Sequence, residues 1–209
     1  IKTILMKKGG HEGRFRLQRY GFLAGEKKFE TLHKENGIVL KLDVRKTYFS
    51  PRLASERLRV AKSVKKNEDV LVMFSGISPY EINISRHSRA NEIYGVEINN
   101  GACKYAKDNV KLNHARNVRL FCGDVRKVVP KLKKKFGRIV MPLPLSAKDF
   151  LDVTLKAIKK KGVVYFFCFS KEDEVKNVIN FIKSKARIKV LNIVKCGTQS
   201  PWVYRYCID

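Results

Sequence analysis

With 209 residues, 44% of them hydrophobic, the chain is long enough for one moderate domain, or a domain with a small appendage. No run of about 18 apolar residues occurs, which excludes a transmembrane helix, and the start Ile1–Lys8 is too short and too soon charged for a signal peptide. Against 19 Asp and Glu stand 45 Lys and Arg, a net charge of +26 that points to a polyanion partner. A Lys-rich proteome would spread Lys over any surface. The N-terminal cluster of Arg14, Arg16, Arg19, Arg45, Arg52, Arg57 and Arg59 favours nucleic acid, because Arg reads phosphates and base edges better than Lys. Cys103, Cys122, Cys168, Cys196 and Cys207 form no CxxC pair, the pattern of reduced, buried cytosolic thiols. His11, His33, His87 and His114 have no ligand spacing, so no metal site is expected.

Residues 1–50 read as β-rich. Ile1–Met6 alternates, Gly9-Gly10 reads as a turn, and Gly13–Phe22 alternates basic or polar with apolar residues. Phe29–Asn36 reads as irregular, Gly37 as a break, and Ile38–Val44 as a strand. These strands lack the volume for their own core and are expected to pack on the larger domain. Residues 47–62 form a connector, with Ser50 able to cap a helix and Pro51 at its first position. Residues 1–62 are thus a small β-rich recognition subdomain with a helical connector, and 63–209 a Rossmann-like domain.

From residue 69 the pattern is βα alternation. Strands are expected at Val70–Phe74, Ile93–Glu97, Val118–Cys122, Arg138–Met141 and Val163–Phe169. Helices are expected at 79–88, 100–112, 125–134, 147–160 and 171–185. Ile188–Val194 and Trp202–Ile208 then read as an antiparallel pair closing a mostly parallel, seven-stranded sheet.

In such a sheet ligands bind at the carboxyl ends of the strands. The stretch Asp69–Tyr80 supplies a loop, Ser75–Pro79, small enough at Ser75 and Gly76 for close backbone approach. Glu97, about twenty residues beyond it, suits the two hydroxyls of a ribose. Asp124 suits an exocyclic amine such as adenine N6, although an acid there also caps a helix. Pro142-Leu143-Pro144 ends the fourth strand with exposed carbonyls. Together they point to an adenosyl ligand. No GxGxxG is present for a pyrophosphate, and the closing antiparallel pair is, by fold analogy, that of class I S-adenosylmethionine-dependent methyltransferases.

Lys46–Arg59 (KTYFSPRLASERLR), His33–Gly37 (HKENG) and Phe74–Tyr80 (FSGISPY) resemble the archaeal and eukaryotic tRNA (guanine-37 N1)-methyltransferase family. The resemblance implies a cytoplasmic, monomeric enzyme acting on the anticodon loop of tRNA with S-adenosylmethionine. It implies Glu56 as general base for the guanine N1 proton, Arg57 beside it, and Arg16, with Arg14 nearby, at guanine O6. Tyr48, Arg57, Phe74, Ser75, Gly76, Glu97, Ile98, Asp124 and Val125 would hold the cofactor. Arg14, Arg16, Arg52 and Arg59 would hold tRNA. Pro142 and Pro144 would stand at the target base, with Pro142 and Leu143 touching the cofactor. Three departures stand out: Val72 where the family has an acid, Ser78 where Gly is frequent, and Pro142-Leu143-Pro144 in place of Asn-Leu-Pro. The last resembles the archaeal subgroup that also methylates carbon 7 of the tricyclic wyosine precursor imG-14 at position 37. The alternatives are the related 3-amino-3-carboxypropyl transferase and a non-catalytic RNA-binding protein on the same scaffold. The family's small N-terminal domain has no counterpart among these residues.

Overall fold

The computed structural model describes residues 1–209. The chain opens with a two-stranded antiparallel ribbon, β1 (Thr3–Glu12) and β2 (Leu17–Gly25). Gln18 is its one buried residue. Gly9-Gly10 is not the turn that the sequence suggests. Gly9 takes a left-handed φ of 67° at a bulge inside β1. The Gln18 amide fills the gap in the ladder by donating to the carbonyls of Lys8 and Gly9, both at 3.2 Å. The ribbon turns instead at Gly13–Arg16.

A second hairpin follows, β3 (Glu30–Glu35) and β4 (Ile38–Asp43), turning at Asn36-Gly37 with φ values of 45° and 72°. Two consecutive positive φ values at Asn-Gly suit a tight hairpin. The stretch read as irregular is therefore a strand. A 3-10 turn at Pro51–Leu53 leads into α1 (Ala54–Ser63). The Ser50 hydroxyl does not cap it; the Ser50 carbonyl accepts from Arg57 Nη2 at 3.1 Å instead.

Regular alternation then runs β5 (Val70–Met73), α2 (Pro79–His87), β6 (Ile93–Glu97), α3 (Asn100–Leu112), β7 (Val118–Cys122), α4 (Val125–Lys131) and β8 (Phe136–Met141). It ends α5 (Leu151–Ala157), β9 (Ile158–Ser170), α6 (Val175–Lys185), β10 (Ile193–Ser200) and β11 (Val203–Ile208). The helix expected over 147–160 is shorter, because a 3-10 turn occupies Ala147–Phe150 and Ile158 onward joins a long β9. The strand expected at 188–194 lies later; Ile188 and Val190 pack on the core outside the ladder. No helix is long and apolar enough to cross a membrane.

The seven-stranded sheet has the order β10-β11-β9-β8-β5-β6-β7, with β11 antiparallel to both neighbours. The chain leaves β5 for β6 and β7 on one side, then returns to β8 and β9 on the other. The carboxyl ends of β5 and β8 are therefore the switch point where open α/β sheets bind ligands. All four residues of β5 are buried: Val70 and Val72 face one core, Leu71 and Met73 the other. The first core also holds Ile38, Leu40, Leu42 and Val60, so no break in packing falls at residue 62. Asn109 and Asn113, one turn apart on α3, pair with the β4 backbone. Their side-chain oxygens accept from Lys41 N (2.7 Å) and Val39 N (2.9 Å), and their amides donate back to the same residues' carbonyls. They satisfy an edge strand that would otherwise be open.

At the junction lies a buried ion pair. Arg57, 1% exposed, donates through Nε to Glu35 at 2.6 Å and through Nη2 to the second carboxylate oxygen. Asn83 of α2 donates to Glu35 at 3.0 Å and accepts from Asn36 at 3.0 Å. Burial alone would raise the Glu35 carboxyl, but the Arg57 guanidinium holds it below its ordinary value. Arg57→Ala leaves that carboxylate buried and unpaired, so unfolding free energy in urea should fall by about 3–5 kcal/mol. A loss under about 1 kcal/mol would show that the pair does not brace the fold. A depressed carboxyl contributes stability above its unfolded value of 4.5, and that part should disappear as pH falls below it.

Candidate active site

One cavity opens at the switch point, lined from the ends of β5, β6, β7 and β8, from the connector and from the tip of the ribbon. The β5 loop turns sharply: Phe74, Gly76 and Ser78 have φ values of 59°, 57° and 66°. Side chains rarely adopt that region, and two of the three residues carry one. A Cβ built on Gly76 would meet the Tyr48 carbonyl at 3.7 Å, so the connector backbone lies against this loop.

Glu97 braces this loop. Its Oε2 accepts from Gly76 N and its Oε1 from Asn99 N, each at 2.7 Å. Each carboxylate oxygen can accept a second bond, which leaves acceptor capacity for a diol. Burial raises the Glu97 carboxyl, and the backbone amides of Asn99, Gly76 and Ile98 oppose that shift. Asp124 lines the cavity, and its Oδ1 caps α4 by accepting from Arg126 N at 2.8 Å. Arg14 reaches its Oδ2 at 3.4 Å, an exposed and weak contact. Ile98, Val125, Phe74 and Ser75 complete this half. Phe150 packs edge-to-face on Phe74, with ring centroids 4.7 Å apart.

Pro142, Leu143 and Pro144 form the opposite wall. Tyr48 and Arg57 come from the connector, and Arg16 from the ribbon tip. The Arg16 guanidinium has no ion-pair partner; it lies 4.9 Å from the centre of the Tyr48 ring and 6.0 Å from that of Phe169. Arg205 Nη2 donates to the Tyr48 hydroxyl at 3.4 Å.

Three expected site residues stand elsewhere. Glu56 does not line the cavity. Arg59 engages both its oxygens at 2.8 Å, while also donating to Asp209. Glu56 lies one layer behind the wall, where its charge acts on the buried hydroxyl of Tyr80, a lining residue. Arg59, expected on tRNA, is consumed by these two carboxylates. Arg52 is exposed, outside the cavity and without an ion pair. The expectation of five free thiols is also corrected: Cys103 on α3 and Cys122 at the end of β7 form a disulfide beside the two acids. Phe49, Leu53, Tyr80 and Phe150 line the cavity unannounced. The first three lie within the recognised motifs, whereas Phe150 is brought in only by the fold.

Residues 31–194 match the model of the TRM5/TYW2 methyltransferase domain. The chain belongs to that family. It is 36% identical to the tRNA (guanine(37)-N(1))-methyltransferase Trm5b of Pyrococcus abyssi, over 100% of this chain and 63% of that protein. It is 32% identical to the tRNA (guanine(37)-N(1))/4-demethylwyosine(37)-methyltransferase Taw22 of Nanoarchaeum equitans, over 90% of this chain and 81% of that protein. The Methanocaldococcus jannaschii TYW2 structure in complex with AdoMet superimposes with a TM-score of 0.80 at 30% identity, covering 91% of this chain and 88% of that one. The chain spans about three fifths of the length of the Trm5b relative.

Against this TRM5/TYW2 frame one buried acid stands out. Glu81 on α2 is 0% exposed, and neither carboxylate oxygen has a hydrogen-bond partner. Burial, with the Glu97 charge adding to it, pushes its carboxyl up to about 8. The folded state then holds a proton that the unfolded chain releases near 4.5, so this group costs stability progressively between those values. Glu81→Gln, which mimics the protonated acid, should melt close to the wild type at pH 4.5. At pH 8 it should melt higher by about 5 °C or more. A difference independent of pH would show that Glu81 does not titrate in this range.

Proposed function

We propose that this chain methylates N1 of guanosine at position 37 of tRNA, using S-adenosylmethionine, and also carbon 7 of the tricyclic wyosine precursor at that position. The observation that carries this reading is the joining in one cavity of the small loop at Gly76, the acids Glu97 and Asp124, and the unpaired guanidinium of Arg16. The cofactor half fits. Glu97 has free acceptor capacity for two ribose hydroxyls, Asp124 Oδ2 is free for an amine apart from its weak Arg14 contact, and Phe74 with Phe150 offers apolar walls for a purine. When bound, S-adenosylmethionine supplies an electrophilic methyl group. The second substrate is supported by Pro142-Leu143-Pro144, where no amide side chain competes with a larger ring, and by the likeness to the Nanoarchaeum enzyme.

The protein's own groups do the rest. N1 of guanine is a poor nucleophile until its proton leaves. Glu56 is the proposed acceptor, and the role requires its carboxylate to exchange Arg59 for the base. Arg16 faces the charge that grows on O6 as N1 loses its proton. The net charge of +26 and the exposed Arg14 and Arg52 draw the polyanion to this edge. A second reading, transfer of the aminocarboxypropyl group of the same cofactor, is favoured by the likeness to TYW2.

The test is incubation with tRNA bearing guanosine or the tricyclic precursor at position 37, with mass spectrometry of the nucleosides and identification of the spent cofactor. A methylated nucleoside with S-adenosylhomocysteine is expected; methylthioadenosine would establish the second reading, and product from guanosine alone would remove the dual substrate. Glu56→Gln should cut turnover by about a hundred-fold or more while tRNA affinity stays unchanged. Equal losses in both would make Glu56 structural.

A further inference from the structure

Trp202 is the single tryptophan of the chain and is 76% exposed. It sits at the tip of the hairpin that joins β10 to β11, after Pro201. Its φ is +63°, a conformation that tight turns normally give to Gly or Asn. A large side chain in a left-handed turn, standing in solvent, adds nothing to folding. Such an outlier directs attention to a role outside the fold.

The register locates that role. Tyr204 pairs with Ser170, the last residue of β9, so Trp202 stands two residues beyond the edge of the sheet on which the cavity opens. Arg205 of the same hairpin bonds the Tyr48 hydroxyl at 3.4 Å and packs 5.1 Å from the Phe169 ring. Arg16 lies 4.9 Å from the Tyr48 ring and 6.0 Å from the same Phe169 ring. The hairpin is thus tied to the cavity rim by an aromatic and cationic cluster, and Trp202 lies three residues before Arg205 at its tip. An exposed aromatic plane on an element that also carries a guanidinium group is the chemistry that recognises unpaired nucleobases, by stacking next to phosphate contacts. A base that enters the cavity must leave its stack, and its neighbours are then unstacked as well.

We propose that Trp202 is a stacking platform for an unpaired RNA base next to the one that enters the cavity. The proposal rests on the RNA-modifying reading of this cavity. As Trp202 is the only indole, the emission of the unmodified protein reports on this one site. The protein is titrated with an RNA hairpin bearing guanosine in its loop and with a fully paired duplex, while anisotropy of a dye on the RNA reports binding separately. The hairpin should quench the emission along the same isotherm as the anisotropy, and the duplex should leave it unchanged. Trp202→Ala should bind the hairpin about ten-fold more weakly, and Trp202→Phe within about three-fold of wild type. S-adenosylmethionine affinity should be the same in all three. Hairpin binding with unchanged emission, quenching by the duplex, or full affinity in Trp202→Ala would overturn the stacking role and leave the RNA reading standing. No binding of either RNA would remove both.

Discussion

The buried pair of Arg57 and Glu35 is the constraint on which the site depends. The connector has to cross from the N-terminal hairpins to the sheet while holding Tyr48 and Phe49 over the β5 loop. Arg57 holds it at Glu35 of β3 and at the Ser50 carbonyl, and Asn83 of α2 donates to the same Glu35 carboxylate. Taking a guanidinium and a carboxylate out of water is costly, and packed apolar residues would often serve stability as well. What the ion pair adds is direction. Its bonds fix the angle at which Ser50 and the aromatic pair before it meet the cavity. Arg57 therefore lines the cavity while spending most of its donors on position.

The site is a composite with unequal parts. The cofactor half is built on strand ends within the sheet, where Glu97 is held by two backbone amides and Asp124 caps a helix. That half is preorganised. The opposite half comes from the ribbon tip, whose strands are almost wholly exposed, and from Glu56, held by Arg59 behind the wall. Under the proposed function, the groups of this half would have to settle when substrate arrives. The electrostatics differ in the same way: the acids Glu97 and Asp124 line one half of the cavity, and Arg16, with no ion-pair partner, lines the other.

Much of this was legible in the residues, and for physical reasons. Parallel strands buried on both faces appear as apolar runs that stop abruptly at Glu97, Asp124 and Pro142, and the motifs around Arg57 and Gly76 marked the family. What was not legible depended on partners far away in sequence or on polar burial. β3 leaves no apolar signature because its buried residue is Glu35. Gly9-Gly10 has the signature of a turn because a bulge uses the same residue. The pairing of Arg59 with Asp209 is hidden because the two lie 150 residues apart. Cys103 and Cys122 are 19 residues apart with no motif, and only the meeting of α3 with β7 brings them together.

The strand ends around Glu97 form the proposed site for S-adenosylmethionine. Calorimetric titration of the wild type and of Glu97→Gln tests it most directly. Saturable binding to the wild type is expected, weakened at least about ten-fold in the variant by loss of a charged acceptor for the ribose hydroxyls. Equal affinity in the two proteins, or no binding to the wild type, would contradict it.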